Sequence, residues 1–153
     1  MYINEKTAEV LNDLIRINND RIKGYEKAAE ETKEKDTDLQ AIFRQMAAES
    51  RSYVNDLKEY VTTSDTDPAT STTTAGKIYR AWMDVKATFT GKDRKAILAS
   101  CEYGEDAAQK AYETALSSNA ELLAEIRQLV LDQKASLKRS HDRIKQMRDA
   151  QPA

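Results

Sequence analysis

The sequence has a single cysteine, Cys101, and a single histidine, His141, in 153 residues. One cysteine excludes an internal disulfide, and one histidine excludes any site that needs two imidazoles from the same chain. Glycine (4) and proline (2) are scarce, which argues against a turn-rich β protein. No apolar run approaches the roughly 20 residues that a membrane span requires. The start, Met1-Tyr2-Ile3-Asn4-Glu5, has neither the basic segment nor the apolar stretch of a secretory leader. An excess of one sign of charge is missing too. Lys and Arg number 24 and Asp and Glu 26, so the formal net charge is −2, too small to hold nucleic acid or an anionic membrane. Neither is an expected partner, and the cytoplasm is the expected compartment. No nucleophilic triad, phosphate loop or cysteine-rich metal knuckle is found, and no small-molecule substrate is suggested.

What is abundant is charge and apolar surface in helical rhythm: 33% charged and 40% apolar residues. A first helix is expected from about Asn4 to Lys33, with Val10, Leu11, Leu14, Ile17, Ile22, Tyr25 and Ala29 inward. A second runs to about Val61 and carries Leu39, Ile42, Phe43, Met46, Tyr53, Leu57 and Tyr60; Thr37 to Gln40 has the form of a capping box at its start. Thr62 to Thr74, with seven Thr, two Ser, two Asp and Pro68, breaks the rhythm and reads as a crossover loop. A short helix is expected from about Ala75 to Phe89, carrying Trp82 and Met83 among its apolar residues. A third long helix follows from about Asp93 to Leu116, its inner face small: Ile97, Cys101, Gly104, Ala108, Ala111, Tyr112 and Ala115. A second box, Ser118 to Glu121, opens a fourth helix that reaches about Arg148, with Leu122, Ile126, Leu129, Val130, Leu137, Ile144 and Met147 inward.

Short turns force antiparallel neighbours. The expected fold is therefore all-α: a ferritin-like up-down four-helix bundle of two antiparallel hairpins, with a long crossover containing a short extra helix. It forms a single domain, with a first hairpin over 4–61, the crossover over 62–91 and a second hairpin over 92–148. Gly24-Tyr25-Glu26-Lys27-Ala28-Ala29 resembles Gly104-Glu105-Asp106-Ala107-Ala108, as related hairpins would.

Polar residues interrupt the apolar stripes. Glu26, Glu49 and Glu105 fall beside inward positions, and on the fourth helix Asp132 and Gln133 compete for the matching place. Counted from the two turns at about 1.5 Å per residue, Glu26, Glu49, Glu105 and Asp132 lie at similar depths. Burying a lone carboxylate is costly unless it is paired, protonated or metal-bound. Two readings follow. In one, the four acids bind a metal, an all-oxygen set suited to hard ions such as Mn and able to hold Fe weakly. In the other, they are exposed or paired with Arg21, Arg44, Arg51 or Lys134. Di-iron carboxylate bundles use Glu-x-x-His on two helices. Here Glu49 is followed by Ser52 where histidine is needed, Asp132 and Gln133 by Ala135 and Ser136, and His141 lies roughly 12 Å beyond the proposed level. His141 reads as a partly exposed helix residue near a helix C-terminus. Tyr25, Tyr53, Tyr103 and Tyr112 read as core packing rather than radical carriers, and Cys101 as a small buried hydrophobe.

Arg80-Ala81-Trp82-Met83-Asp84 and Gly104-Glu105-Asp106-Ala107-Ala108 resemble a bacterial family of uncharacterised ferritin-like four-helix-bundle proteins, over roughly residues 5–148. The resemblance implies the bundle and, through other ferritin-like proteins, a stress-related role. With both Glu-x-x-His motifs missing, the expected function is non-enzymatic, with a degenerate di-metal site, no resident cofactor and action through self-association as a homo-oligomer. The alternative is a carboxylate-bound Fe or Mn store or oxidase.

Overall fold

Helices form where the apolar periodicity places them. The computed structural model describes residues 3–32, 36–72 and 94–151 and contains α1 (Glu5–Glu31), α2 (Thr37–Val61), α3 (Arg94–Leu116) and α4 (Ala124–Asp149). No strand occurs among the described residues. The short helix expected over 75–89, with Trp82 and Met83, lies outside them.

The helix starts differ from expectation. Neither expected capping box forms. Thr37 lies inside α2, whose N-cap is Asp36 without a side-chain bond, and Gln40 reaches back to donate to the Thr32 carbonyl at 3.1 Å. Asp36 and Asp38 instead hold Arg94 at the start of α3, at 3.1 and 3.0 Å. This ties two helix N-termini together, and negative charge is favourable at each. Ser118 folds into a turn, donating to the Ala115 carbonyl at 2.8 Å, and α4 begins only at Ala124. The delay leaves Leu122 and Leu123 outside the helix, with Leu123 at the N-cap position. At α1 a side-chain cap does form: Asn4 Oδ1 accepts from the Thr7 amide at 2.8 Å.

Each helix turns one stripe inward. On α2 it is Leu39, Phe43, Met46, Ser50, Leu57 and Val61; on α4 it is Ile126, Val130, Gln133, Leu137, Ser140 and Ile144. These steps of three, four or seven residues are the spacing that lines one helix face. Side-chain pairs give the directions. Asn18 and Arg21 meet α2 at Ser50, while Thr32 meets it at Gln40, so α1 and α2 are antiparallel. Asn18 meets Tyr112 and Arg21 meets Glu105, so α1 and α3 are antiparallel. On α4, Lys134 lies opposite Gln109 and Arg148 opposite Glu102; Glu125 lies opposite Tyr60 and Gln133 opposite Tyr53. Hence α4 runs antiparallel to both α3 and α2. This is packing compatible with a four-helix bundle.

The apolar interior is split in two. One cluster gathers Leu11, Leu14, Ile15, Leu57, Ala108, Ile126, Val130 and neighbours. The other gathers Tyr25, Leu39, Phe43, Met46, Ile97, Leu98, Cys101 and Ile144. Between them lies a band of buried polar side chains. The described start of the long connection is tied to α1: Asn12 donates to the Asp67 carbonyl at 3.0 Å and accepts from the Ala69 amide at 2.8 Å, and Asn19 donates to the Ser71 carbonyl at 2.9 Å. No helix of the described residues is long and apolar enough to cross a membrane.

Candidate functional site

The polar band draws on all four helices. Asn18 and Arg21 occupy the inner stripe of α1, set between Leu14, Ile17 and Tyr25 by three- and four-residue steps. Ser50 comes from α2, Glu105 and Tyr112 from α3, and Gln133 from α4, all of them buried. Arg21 Nε donates to Glu105 Oε1 at 2.5 Å and Nη2 donates to Oε2 at 3.1 Å, a two-point pairing that suits the planar guanidinium fork. Arg21 Nη1 donates to the Met46 carbonyl at 2.9 Å and to Ser50 Oγ at 2.8 Å. Its Cζ lies 5.0 Å from the centroid of the Tyr25 ring, within reach of a cation–π interaction.

The chain of hydrogen bonds continues across the bundle. Ser50 Oγ donates to Asn18 Oδ1 at 2.9 Å, and Asn18 Nδ2 donates to Tyr112 Oη at 2.9 Å. Tyr112 Oη donates to Gln133 Oε1 at 2.6 Å; Gln133 Nε2 donates to the Tyr53 carbonyl at 3.3 Å, and the Tyr53 hydroxyl meets Ser136 Oγ. Burial alone would lower the Arg21 pKa, but the Glu105 carboxylate outweighs it and holds the guanidinium charged. Burial raises the Tyr25 phenol, and the Glu105 charge adds to it; Tyr112 is raised by burial as well. The band is thus a satisfied, charge-balanced network with neutral tyrosines, and a half-satisfied one would be far less stable.

The four acids expected at the centre stand in four different settings. Glu105 is buried against Arg21. Glu26 is exposed and paired with Arg51, across a surface cleft of about 380 Å³ between α1 and α2 that Arg44 also lines. Glu49 is half-buried, its Oε2 accepting from Ser140 Oγ at 3.5 Å. Asp132 is exposed and accepts from Gln128 at 2.8 Å, while its neighbour Gln133 takes the inward place. The four do not converge, and a guanidinium already lies against Glu105, the one of the four that is fully buried. These residues do not fit the two-metal centre that the ferritin resemblance implies, since a further cation beside Arg21 would meet its repulsion.

Arg21, Ser50 and Asn18 were not among the expected centre residues. The available signal was positional: Arg21 stands four residues after Ile17 and four before Tyr25, and Ser50 four after Met46 and seven before Leu57. Among the tyrosines, Tyr25 and Tyr112 are buried, Tyr53 is half-buried, and Tyr103, expected in the core, is exposed. Cys101 is buried as expected.

A second grouping lies between α3 and α4. His141 Nε2 is 2.6 Å from Asp106 Oδ1, and its Nδ1 is 3.0 Å from Asp142 Oδ1. Burial would lower the imidazole pKa, but the hydrogen bonds to Asp142 and Asp106 outweigh it and raise it above its ordinary value. Glu102 stands one turn before Asp106 and pairs with Arg148. Glu102, Asp106 and His141 each offer a ligand atom, all within 4.8 Å of one another; they form the one such group of three among the described residues.

Comparison with known families adds one finding. The model of the family described as a domain of unknown function (DUF2383) matches residues 6–118. The chain belongs to this family. The DUF2383 match takes in α1, α2 and α3, and with them Asn18, Arg21, Ser50, Glu105 and Tyr112. Gln133, Ser136 and His141 on α4 lie beyond it. No curated protein matches the chain.

Proposed function

We propose that the chain is a non-enzymatic, ferritin-like helical scaffold that works through association, with an arginine–glutamate pair where a di-metal centre would otherwise stand. One observation carries this reading: Arg21, fully buried, pairs at two points with Glu105 at the middle of the bundle. A carboxylate so held is a poor general base, because the Arg21 cation stabilises its charged form, and a poor metal ligand, because that cation repels an ion brought beside it. The ferritin-like arrangement is supported by the helix directions. α2 and α3 are each antiparallel to α1 and α4, so the connection over 62–93 joins two parallel helices, as the single long crossover of that layout requires. Leu123 and Leu131, large apolar side chains that α4 and its start leave exposed, are where association with further copies would bury apolar surface.

Adding Fe(II) to the aerobic protein tests the reading. No oxygen uptake is expected, and light scattering is expected to give a mass above the 17.3 kDa of one chain. Oxygen uptake, or stoichiometric iron that Glu49→Ala removes while helix content is kept, overturns the proposal in favour of a carboxylate iron or manganese protein.

A further inference from the structure

We propose that Glu102, Asp106 and His141 bind a divalent first-row transition-metal ion, separate from the central band. Glu102 and Asp106 are one helical turn apart and so project from the same face of α3, while His141 meets them from α4. One imidazole nitrogen with two carboxylates is the donor chemistry of Zn²⁺, Mn²⁺ and Fe²⁺ sites rather than of Ca²⁺ or Mg²⁺, which favour oxygen alone.

A further observation stands outside the three ligands. The far side of the imidazole, Nδ1, faces Asp142, and Asp142 is itself held by Lys138 at 2.6 Å. A carboxylate on the non-coordinating nitrogen fixes the ring and raises its basicity, the usual support for a histidine ligand. The result is an imidazole aimed through Nε2 at two acids. An ion between Nε2 and Asp106 replaces the proton there, which leaves to solvent, while Nδ1–H goes on donating to Asp142.

Charge and access agree. Arg148 engages one oxygen of Glu102, and a carboxylate carries a second. Once the Nε2 proton is displaced, Glu102, Asp106 and Asp142 outnumber Arg148 and Lys138 as charges, so a divalent ion meets a local negative excess. The side chains of Glu102 and His141 are 13% and 14% exposed, but that of Asp106 is 63% exposed. The ion therefore enters beside Asp106 and keeps water on its remaining positions.

His141 is the chain's one histidine, so a long-range ¹H–¹⁵N spectrum reads this ring without ambiguity. Zn²⁺ and, separately, Mg²⁺ are titrated into the full chain at about pH 8, where protons compete less. One equivalent of Zn²⁺ is expected to shift Nε2 strongly, with Nδ1 still protonated, and Mg²⁺ to leave both unchanged. By calorimetry His141→Ala is expected to abolish that equivalent and Asp142→Asn to weaken it by roughly tenfold. Absence of Zn²⁺ binding, an unmoved Nε2, or undiminished binding by His141→Ala overturns the proposal. Iron that is lost with Glu49→Ala but kept in His141→Ala would instead overturn the reading of the central band and leave this site standing.

Discussion

Arg21 and Glu105 illustrate how far a buried charge depends on its partner. Each has been taken from water, and their attraction offsets that loss only while both are present. Arg21→Met alone leaves Glu105 uncompensated, and urea unfolding is expected to show a loss of about 3–5 kcal/mol. Arg21→Met with Glu105→Leu removes both charges, and the double variant is expected to recover most of that loss. A double variant no more stable than Arg21→Met would contradict this account. The tyrosines carry a second residue-scale expectation. Tyr25 and Tyr112 are raised by burial, and Tyr60 is pushed up to about 12 by its 2.6 Å hydrogen bond to Glu125. A phenol that keeps its proton longer in the folded state stabilises fully below about pH 10, and that contribution is lost as pH rises toward the folded value. Part of the tyrosinate absorbance is therefore expected to appear only together with loss of the helical circular-dichroism signal. A full tyrosinate signal while the helices persist would contradict this.

At the scale of elements, the stripes were legible and the ends were not. Leu39, Phe43, Met46 and Leu57 mark the buried face of α2 by apolar character alone, as do Ile126, Val130, Leu137 and Ile144 on α4. Periodicity ranks positions by hydrophobicity, however, so it passes over a polar residue that lies on the stripe. Hydrophobic ranking favours Glu49 no less than the inward Ser50, and it offers Arg21 only as a partner for an edge carboxylate. Capping chemistry misled for another reason. Ser118 and Glu121 have the right spacing, but the Glu121 carbonyl accepts from Thr7 at 3.1 Å and Ser118 closes a turn, so tertiary contacts displaced the local motif. The consequence is an uncapped α4. Leu123 sits at its N-cap with φ −58° and ψ 149° and is 45% exposed. Aspartate there can bond the free amides and suits the positive helix end. Leu123→Asp is expected to stabilise by about 1 kcal/mol, and Asn4→Ala, which removes the cap that does form, to cost about the same. Thermal unfolding of the two variants checks both signs.

At the scale of the whole molecule, the polar band divides two apolar clusters with no side chain in common among the described residues. Ile126 belongs to one and Phe43 to the other. Ile126→Val and Phe43→Leu are each expected to destabilise by about 1 kcal/mol, and the double variant by their sum within about 0.5 kcal/mol, as for sites without common partners. A larger coupling in denaturant titrations would show that the band transmits packing strain between the two ends. The band has one more consequence, for alignment along the bundle axis. Leucines and alanines tolerate a neighbour that slides by one turn, roughly 5.4 Å, because one greasy contact replaces another. The guanidinium of Arg21 tolerates no such slide: displaced by a turn, it would leave Met46, Ser50 and Glu105 together and strand a charge among hydrocarbon. The pair therefore works as a key cut for a single position of its lock, setting the vertical offset of three helices at once.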